Sequence, residues 1–413
     1  MSGEPEPVTL ARRLGTGDAV VIGLGSMIGA GIFVAPSPAA QAAGSGLLIA
    51  LVLAAAVALC NALSSARLAA LYPVSGGTYV YGRERLGEFW GYLAGWAFVV
   101  GKTASCAAMA LALGTYTWPE HAGTVAVAAV AGLTAVNYVG IHRSVALTRL
   151  IVAAVLAVLA VLVVVALASD GATVGRLRPR EDADLRGIAE AAGLLFFAFA
   201  GYARIATLGE EVRDPERTIR RAIPLALGLT LLVYVAVLAA GLAVLGPGGL
   251  AMADAPLSAV VRAAGAEGLV PLVRVAAVLG AAGALLALIV GVSRTALAMA
   301  RDGHLPAALA AVHPRFGVPH RAEIAVGIVV AIVAASADVR GAIGFSSFGV
   351  LVYYAIANAS AWTLAPGRAR IVPALGLAGC LGLALTLPGE SVLTGIAVLA
   401  VGAVLHTARR LTR

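Results

Sequence analysis

Along the chain, long runs of Leu, Val, Ile and Ala alternate with short polar breaks. Twelve such runs fall at about 17–36, 45–68, 88–114, 122–140, 146–169, 188–209, 222–246, 268–297, 322–338, 341–364, 371–387 and 389–407. Most reach or approach the roughly 20 residues that carry an α-helix across a bilayer core. The stretches 151–169 and 225–247 have almost no polar face, unlike the amphipathic helices of soluble domains. The pattern predicts twelve membrane helices, with 322–338 and 341–364 joined by almost no loop. No polar stretch is long enough to separate two domains, so residues 1–413 read as one integral membrane domain.

Composition agrees. Of 413 residues, 61% are hydrophobic and only 12% charged, too few charges to cover a soluble domain of this size. The polar N-terminal segment lacks the charged, apolar and small-residue regions of a secretory signal, so insertion is expected to rely on the first membrane helix. Cys60, Cys106 and Cys380 all lie in apolar runs without metal-ligand spacing and read as small packing residues.

Charge placement orients the helices. The basic residues are 28 Arg and a single Lys. With the N-terminus inside, 20 of these 29 fall in cytoplasmic loops and tails, seven lie outside or near outer helix ends, and Lys102 and Arg204 lie within helices. This positive-inside bias places both termini in the cytoplasm of a cell-membrane protein. The loop at 170–187 departs from it, with four Arg facing Asp170, Glu181, Asp182 and Asp184. The net charge of +8 is scattered over short loops and forms no nucleic-acid-binding stripe. Attraction of inner loops to anionic membrane lipid accounts for it better.

Two runs carry features that break a helix. The first, VVIGLGSMIGAGIFVAP, holds Gly23, Gly25, Gly29 and Gly31, and Gly29-Ala30-Gly31 lies near its centre. Such glycines either form a close helix-packing face or permit an unwound turn in mid-membrane. An unwound turn exposes backbone N–H and C=O groups in a dry environment, where a polar substrate can satisfy them. The sixth run, in FFAFAGYARIATLGEEVRDP, holds Gly201 and the charged Arg204, with Glu210 and Glu211 at its inner end. An Arg in the bilayer is expensive unless it faces protein, water or ligand. Interruptions in helices one and six suggest two five-helix repeats, at about 17–169 and 188–364, with opposite topology. Extra helices then follow at about 371–407.

These residues resemble a known family. GLGSMIGAGIF at 23–33 resembles the first helix of the amino acid–polyamine–organocation (APC) superfamily permeases. The segment at 196–224 resembles their sixth helix and following loop. YPVSGGTYVY at 72–81 is similar to their re-entrant loop, and SRTALAMARDGHLP at 293–306 to the segment leaving helix eight. The resemblance implies an all-α integral membrane protein with the LeuT-like 5+5 inverted repeat and broken helices 1 and 6. It implies secondary uptake or exchange of amino acids or related amines. The backbone around Ser26, Gly29, Ala30 and Gly31 would receive a substrate carboxylate at a helix N-terminus. Carbonyls of Met27, Phe199, Ala200 and Gly201 would receive its ammonium, with Phe197 and Tyr202 as aromatic walls or gates.

Departures from the family pattern shape the expected specificity. Cationic amino acid carriers of the superfamily often have an acidic residue just after the Gly-aromatic pair of helix six, where this chain has Ala203 followed by Arg204. That favours neutral amino acids over cationic ones and leaves acidic ones open. Some proton-coupled relatives have a lysine in helix five, where Val155 aligns. Lys102, well inside the third run, offers a replacement from another helix. Alternating exposure to wet and dry surroundings would make its protonation depend on carrier state, so Lys102 and Arg204 are the candidate coupling residues. Proton coupling is the preferred reading; a sodium site formed by helix-one carbonyls and helix-eight hydroxyls finds only Ser293, close to the inner end. At the inner surface, Arg83 and Arg85 are candidate gate residues opposite Glu210 and Glu211.

Other function classes fit less well. His304, His313 and His320 lie in or near one inner loop without a ligand or catalytic framework, and no cofactor signature is present. The Gly76-Gly77 pair lacks the Lys-Ser/Thr of a phosphate loop and reads as the tight turn of a hairpin. Two central helix interruptions favour a carrier over the alternatives of a channel or a non-transporting scaffold.

Overall fold

The computed structural model describes residues 14–29, 31–72, 76–140, 145–180, 183–206 and 212–411; Ala30, Glu210 and Glu211 of the expected site lie outside the described residues. The chain forms an all-α, multi-spanning helical bundle. It opens with α1 (Thr16–Met27), α2 (Gly31–Val34), α3 (Pro36–Ala43), α4 (Leu47–Leu71), α5 (Thr78–Leu86) and α6 (Glu88–Thr117). Next come α7 (Ala122–Tyr138), α8 (Val145–Ala168), α9 (Leu185–Phe199), α10 (Ala203–Ala206), α11 (Pro215–Ala251) and α12 (Pro256–Ala263). The last five are α13 (Val270–Arg301), α14 (His320–Ser336), α15 (Val339–Trp362), α16 (Ile371–Thr386) and α17 (Gly389–Leu411).

Among the described residues, 10 helical stretches are long and apolar enough to cross a membrane. Two further helices, α7 and α14, have 17 residues each and coincide with the expected fourth and ninth runs. At 1.5 Å per residue each is about 26 Å long, at the short end of what spans a bilayer. The expected near-absent loop after the ninth run is the dipeptide between Ser336 and Val339. α6 is the central post, packing on α5, α7, α13 and α15. α1 lies against α8 and α11, and α4 against α9 and α11.

Two local devices shape the frame. α11 bends at Gly246 (φ 69°), which precedes Pro247. Proline has no N–H, so the carbonyl of Ala243, four residues earlier, loses its helical partner. The loop between α8 and α9 replaces it: Thr173 N donates to Ala243 O at 2.9 Å. Arg176 Nη1 donates to Ala243 O at 3.1 Å and to Val244 O at 2.5 Å. One arginine of the loop that departs from the charge pattern is therefore a helix-repair residue. The start of α5 is the second device. Gly77 holds a left-handed backbone (φ 55°), and a Cβ there would come within 2.6 Å of Tyr353 Oη. That close approach lets the Thr78 N–H donate to the same hydroxyl at 3.0 Å, seating α5 on α15.

The face of the bundle on which α1 begins, called proximal here, is tied by backbone and charge. Leu14 and Val212 form an isolated parallel bridge, with Arg213 N donating to Leu14 O at 2.9 Å. Arg149 of α8 pairs with Asp18 of α1. On the opposite face, Tyr116 of α6 donates to Phe33 O at 2.8 Å and accepts from Leu257 N of α12 at 3.2 Å. Arg340 there donates to Gln41 and to Glu190, each within 2.8 Å.

Candidate functional site

Regular α-helix stops at Met27 and resumes at Gly31, where α2 begins. In the second glycine-marked run, α9 ends at Phe199, a 3₁₀ turn occupies Ala200–Tyr202, and α10 follows. The tighter 3₁₀ turn changes the hydrogen-bond register and leaves backbone groups without α-helical partners.

The two interruptions meet. A Cβ on Gly201 would fall on the carbonyl of Ser26 and within 2.8 Å of Met27 N, so only a hydrogen side chain lets these backbones touch. A Cβ on Gly31 would lie 2.7 Å from Ala198 Cα. One on Gly29 would lie 2.7 Å from Ala284 Cβ of α13, while Gly23 faces Ile205 and Gly25 faces Val152 of α8. The glycines of the first run are therefore packing contacts, each toward a different element, as well as part of an interrupted helix. Ser26 turns its hydroxyl back onto Ile22 O at 3.0 Å, leaving only its backbone at the junction.

Tyr234 of α11 clasps both interruptions. Its hydroxyl lies 2.5 Å from Met27 O and 3.1 Å from Ala198 O. A phenol has one proton, so it serves one carbonyl fully and the second only by sharing. The Phe199 ring packs against Tyr234 at 5.2 Å between centroids. Tyr202 stacks on Tyr354 of α15 at 5.1 Å with planes 25° apart, and Phe197 is buried.

Lys102 reaches the same place from α6. Its side chain is 5% exposed, and Nζ donates to Ala200 O of the 3₁₀ turn at 3.3 Å. Among the described residues Lys102 makes no ion pair. Two carbonyls expected to receive a substrate ammonium, Met27 O and Ala200 O, thus already hold donors of the protein. Arg204 lies on the exposed side of α10, whereas Lys102 is enclosed, so the two expected coupling residues have different surroundings.

The expected gate residues sit apart from this centre, on the proximal face. Arg83 Nη1 pairs with Asp302 Oδ2 at 3.0 Å, in the segment leaving α13, and Nε with Glu84 at 3.4 Å. Arg85 donates to Thr363 Oγ1 at 2.8 Å and to its carbonyl at 3.1 Å. Tyr79 completes the cluster, with its hydroxyl 2.5 Å from Asp302 Oδ2 and 2.8 Å from His304 Nδ1. Burial, reinforced by the Asp302 carboxylate, pushes the Tyr79 phenol above its ordinary range and keeps it a donor. His304 also faces Glu88, with Nε2 3.5 Å from Oε1. Arg409 of α17 donates to the His304 carbonyl. Sequence reading missed Asp302, Tyr79, His304 and Tyr234. Asp302 and Tyr79 stand inside the quoted family segments, and Tyr234 had no signal beyond being a polar atom in an apolar run.

Among the described residues, no group of three or more His, Cys, Asp or Glu is arranged to hold a metal ion. Comparison with known proteins bears directly on this geometry. The sequence pattern of the family described as "Amino acid permease" matches residues 14–406. An uncharacterized transporter of Mycobacterium tuberculosis is 67% identical over 408 residues, covering 98% of this chain and 93% of its own. The branched-chain amino acid permease BcaP of Bacillus subtilis is 28% identical over 434 residues, covering 96% of this chain and 93% of its own. Cationic amino acid transporter 7, chloroplastic, of Arabidopsis thaliana is 27% identical over 380 residues, covering 85% of this chain and 65% of its own.

Proposed function

Because the chain belongs to the amino acid permease family of the APC superfamily, and is a membrane transporter and not an enzyme, we propose that it drives proton-coupled uptake of neutral amino acids across the cell membrane. The carrying observation is the meeting of the two helix interruptions at Ser26, Met27 and Gly201. In this reading the fold is the LeuT-like 5+5 arrangement with twelve spans, α7 and α14 included, and the interruptions are broken helices 1 and 6. Backbone groups freed where broken helices meet form a polar pocket in a dry surrounding, which suits a small zwitterion.

Each residue then has a role. The backbone from Ser26 to Gly31 and the 3₁₀ turn at Ala200–Tyr202 line the substrate position, with Phe197 and Tyr202 as walls. Lys102 is the coupling group, enclosed beside Ala200 and able to exchange its proton when the carrier turns. The proximal face is cytoplasmic, and the Arg83–Asp302 pair with Tyr79 closes it. The preference for neutral substrates rests on Ala203, which puts no carboxylate beside the turn. The branched-chain specificity named for the Bacillus relative makes leucine, isoleucine and valine the first candidates.

The test is uptake by purified protein in liposomes, with proton and sodium gradients imposed separately. Labelled leucine should accumulate with the proton gradient, and arginine or lysine should compete poorly. Lys102→Ala and Lys102→Gln, inserted normally, should lose pH-driven accumulation while retaining exchange. Accumulation driven by sodium alone, or equal competition by the cationic amino acids, would reject this reading.

A further inference from the structure

Lys102 has more bonding capacity than the protein uses. An ammonium carries three N–H donors. One meets Ala200 O at 3.3 Å, and among the described residues no other hydrogen bond or ion pair reaches Nζ. The group is enclosed, with 5% of the residue exposed. It sits about halfway along α6, a 30-residue helix, so the chain ends are too far away for it to reach bulk water. A buried cation with a single neutral partner lacks a counter-charge, and one neutral carbonyl does not compensate it.

Three carbonyls of the neighbourhood already hold protein donors. Met27 O and Ala198 O share the Tyr234 hydroxyl, and Ala200 O holds Lys102. A substrate ammonium placed here would face the Lys102 ammonium. Like charges brought together in a poorly solvated site repel.

Resting on the reading of this junction as the transport site, we propose that Lys102 is the receptor for the substrate's carboxylate, and that the substrate's amine is dispensable for binding. The two remaining Lys102 donors form charge-assisted hydrogen bonds with that carboxylate, which supplies the missing counter-charge. Substrate and coupling proton then enter as a mutually neutralising pair: a charged Lys102 holds the carboxylate, and the carboxylate keeps Lys102 charged. The ligand class is a small monocarboxylate with an apolar side chain, with or without an amino group. A bare amine is excluded.

Matched triads test this in binding to the purified full-length protein, read as thermal stabilisation in detergent. Leucine is compared with 4-methylpentanoate, which lacks the amine, and with 3-methylbutylamine, which lacks the carboxylate. Alanine with propanoate and ethylamine, and phenylalanine with 3-phenylpropanoate and 2-phenylethylamine, form two further triads. Carboxylates should stabilise the protein with or without the amine, and amines should not. In Lys102→Met, apparent affinity for carboxylates should fall at least ten-fold, so that exchange by variants lacking the ammonium survives only at correspondingly higher substrate concentration, while Lys102→Arg should stay within a few-fold of the parent. Silence from all three amine-free acids, or stabilisation by the amines equal to theirs, overturns the proposal on the unsubstituted protein alone. So does unchanged carboxylate affinity in a folded Lys102→Met. If the acids bind while the amino acids do not, the amino acid reading fails and the role of Lys102 stands.

Discussion

At the scale of single residues, the junction depends on the absence of side-chain atoms. Gly201 touches the backbone of Ser26 and Met27, and neither side is a flexible side-chain end that can swing away. Gly201→Ala therefore forces two chain segments apart. Overpacking of this kind costs about 1–3 kcal/mol, and here it also displaces the site. Gly228 of α11 is the control, because a Cβ there meets nothing within 4 Å. Thermal unfolding in detergent and liposome uptake should separate them. Gly201→Ala should lower the unfolding temperature and abolish uptake, and Gly228→Ala should retain both or gain slightly from better helix propensity. Equal behaviour of the two would remove the close contact from the account. Gly29 and Gly31 were legible as important in the sequence, where a packing face and an unwound turn were both open, and the structure shows close packing at both. Neither has a left-handed backbone; both are held small by Ala284 and Ala198.

At the scale of elements, the order and type of the helices were readable because hydrophobic runs directly report burial in lipid. Helix bends and their repair were not. Gly246 and Pro247 are visible in the sequence, but their partners Thr173 and Arg176 lie about 70 residues earlier, in a loop whose charges looked anomalous. Arg176→Ala should leave Ala243 O short of a partner and Val244 O without the guanidinium. An unsatisfied buried polar group costs about 1–3 kcal/mol. Pro247→Ala restores an N–H four residues after Ala243. In the Arg176→Ala background it should recover part of the lost stability, measured by thermal unfolding of the four-member cycle. Purely additive effects would show that Arg176 does not serve the bend. The same distance problem hid Tyr234, which is 207 residues from Met27. Apolar runs give a helix its place in the order, but not its rotation toward its neighbours.

At the scale of the whole molecule, the bundle has a polar cluster on its proximal face, the latch of the proposed function, and a backbone junction at its centre. Arg83 and Asp302 are 38% and 40% exposed, so their pair contributes about 0–1 kcal/mol to stability. A difference of that size still shifts a carrier between two states of nearly equal energy. Arg83→Asp and Asp302→Arg should each slow uptake several-fold with little change in unfolding temperature. The double reversal should recover part of the rate, incompletely because Tyr79 loses its acceptor. No recovery would place the latch elsewhere. In the sequence, Arg83 and Arg85 were candidate gate residues opposite Glu210 and Glu211, which lie outside the described residues. Asp302 comes from a loop that the packing of α5 and α13 against α6 brings near.

The bond from Lys102 to Ala200 also has a meaning in time. Its two ends are 98 residues apart, and the ribosome adds about 5–20 residues per second, so α6 waits roughly 5–20 s before its partner exists. Throughout that interval the nascent helix carries a mid-span lysine that costs about 2.5–3.5 kcal/mol to place in lipid. The residue that completes the finished junction is a liability during biogenesis. α6 must either linger beside the insertion machinery or be held by the helices already made until the turn at Ala200–Tyr202 arrives.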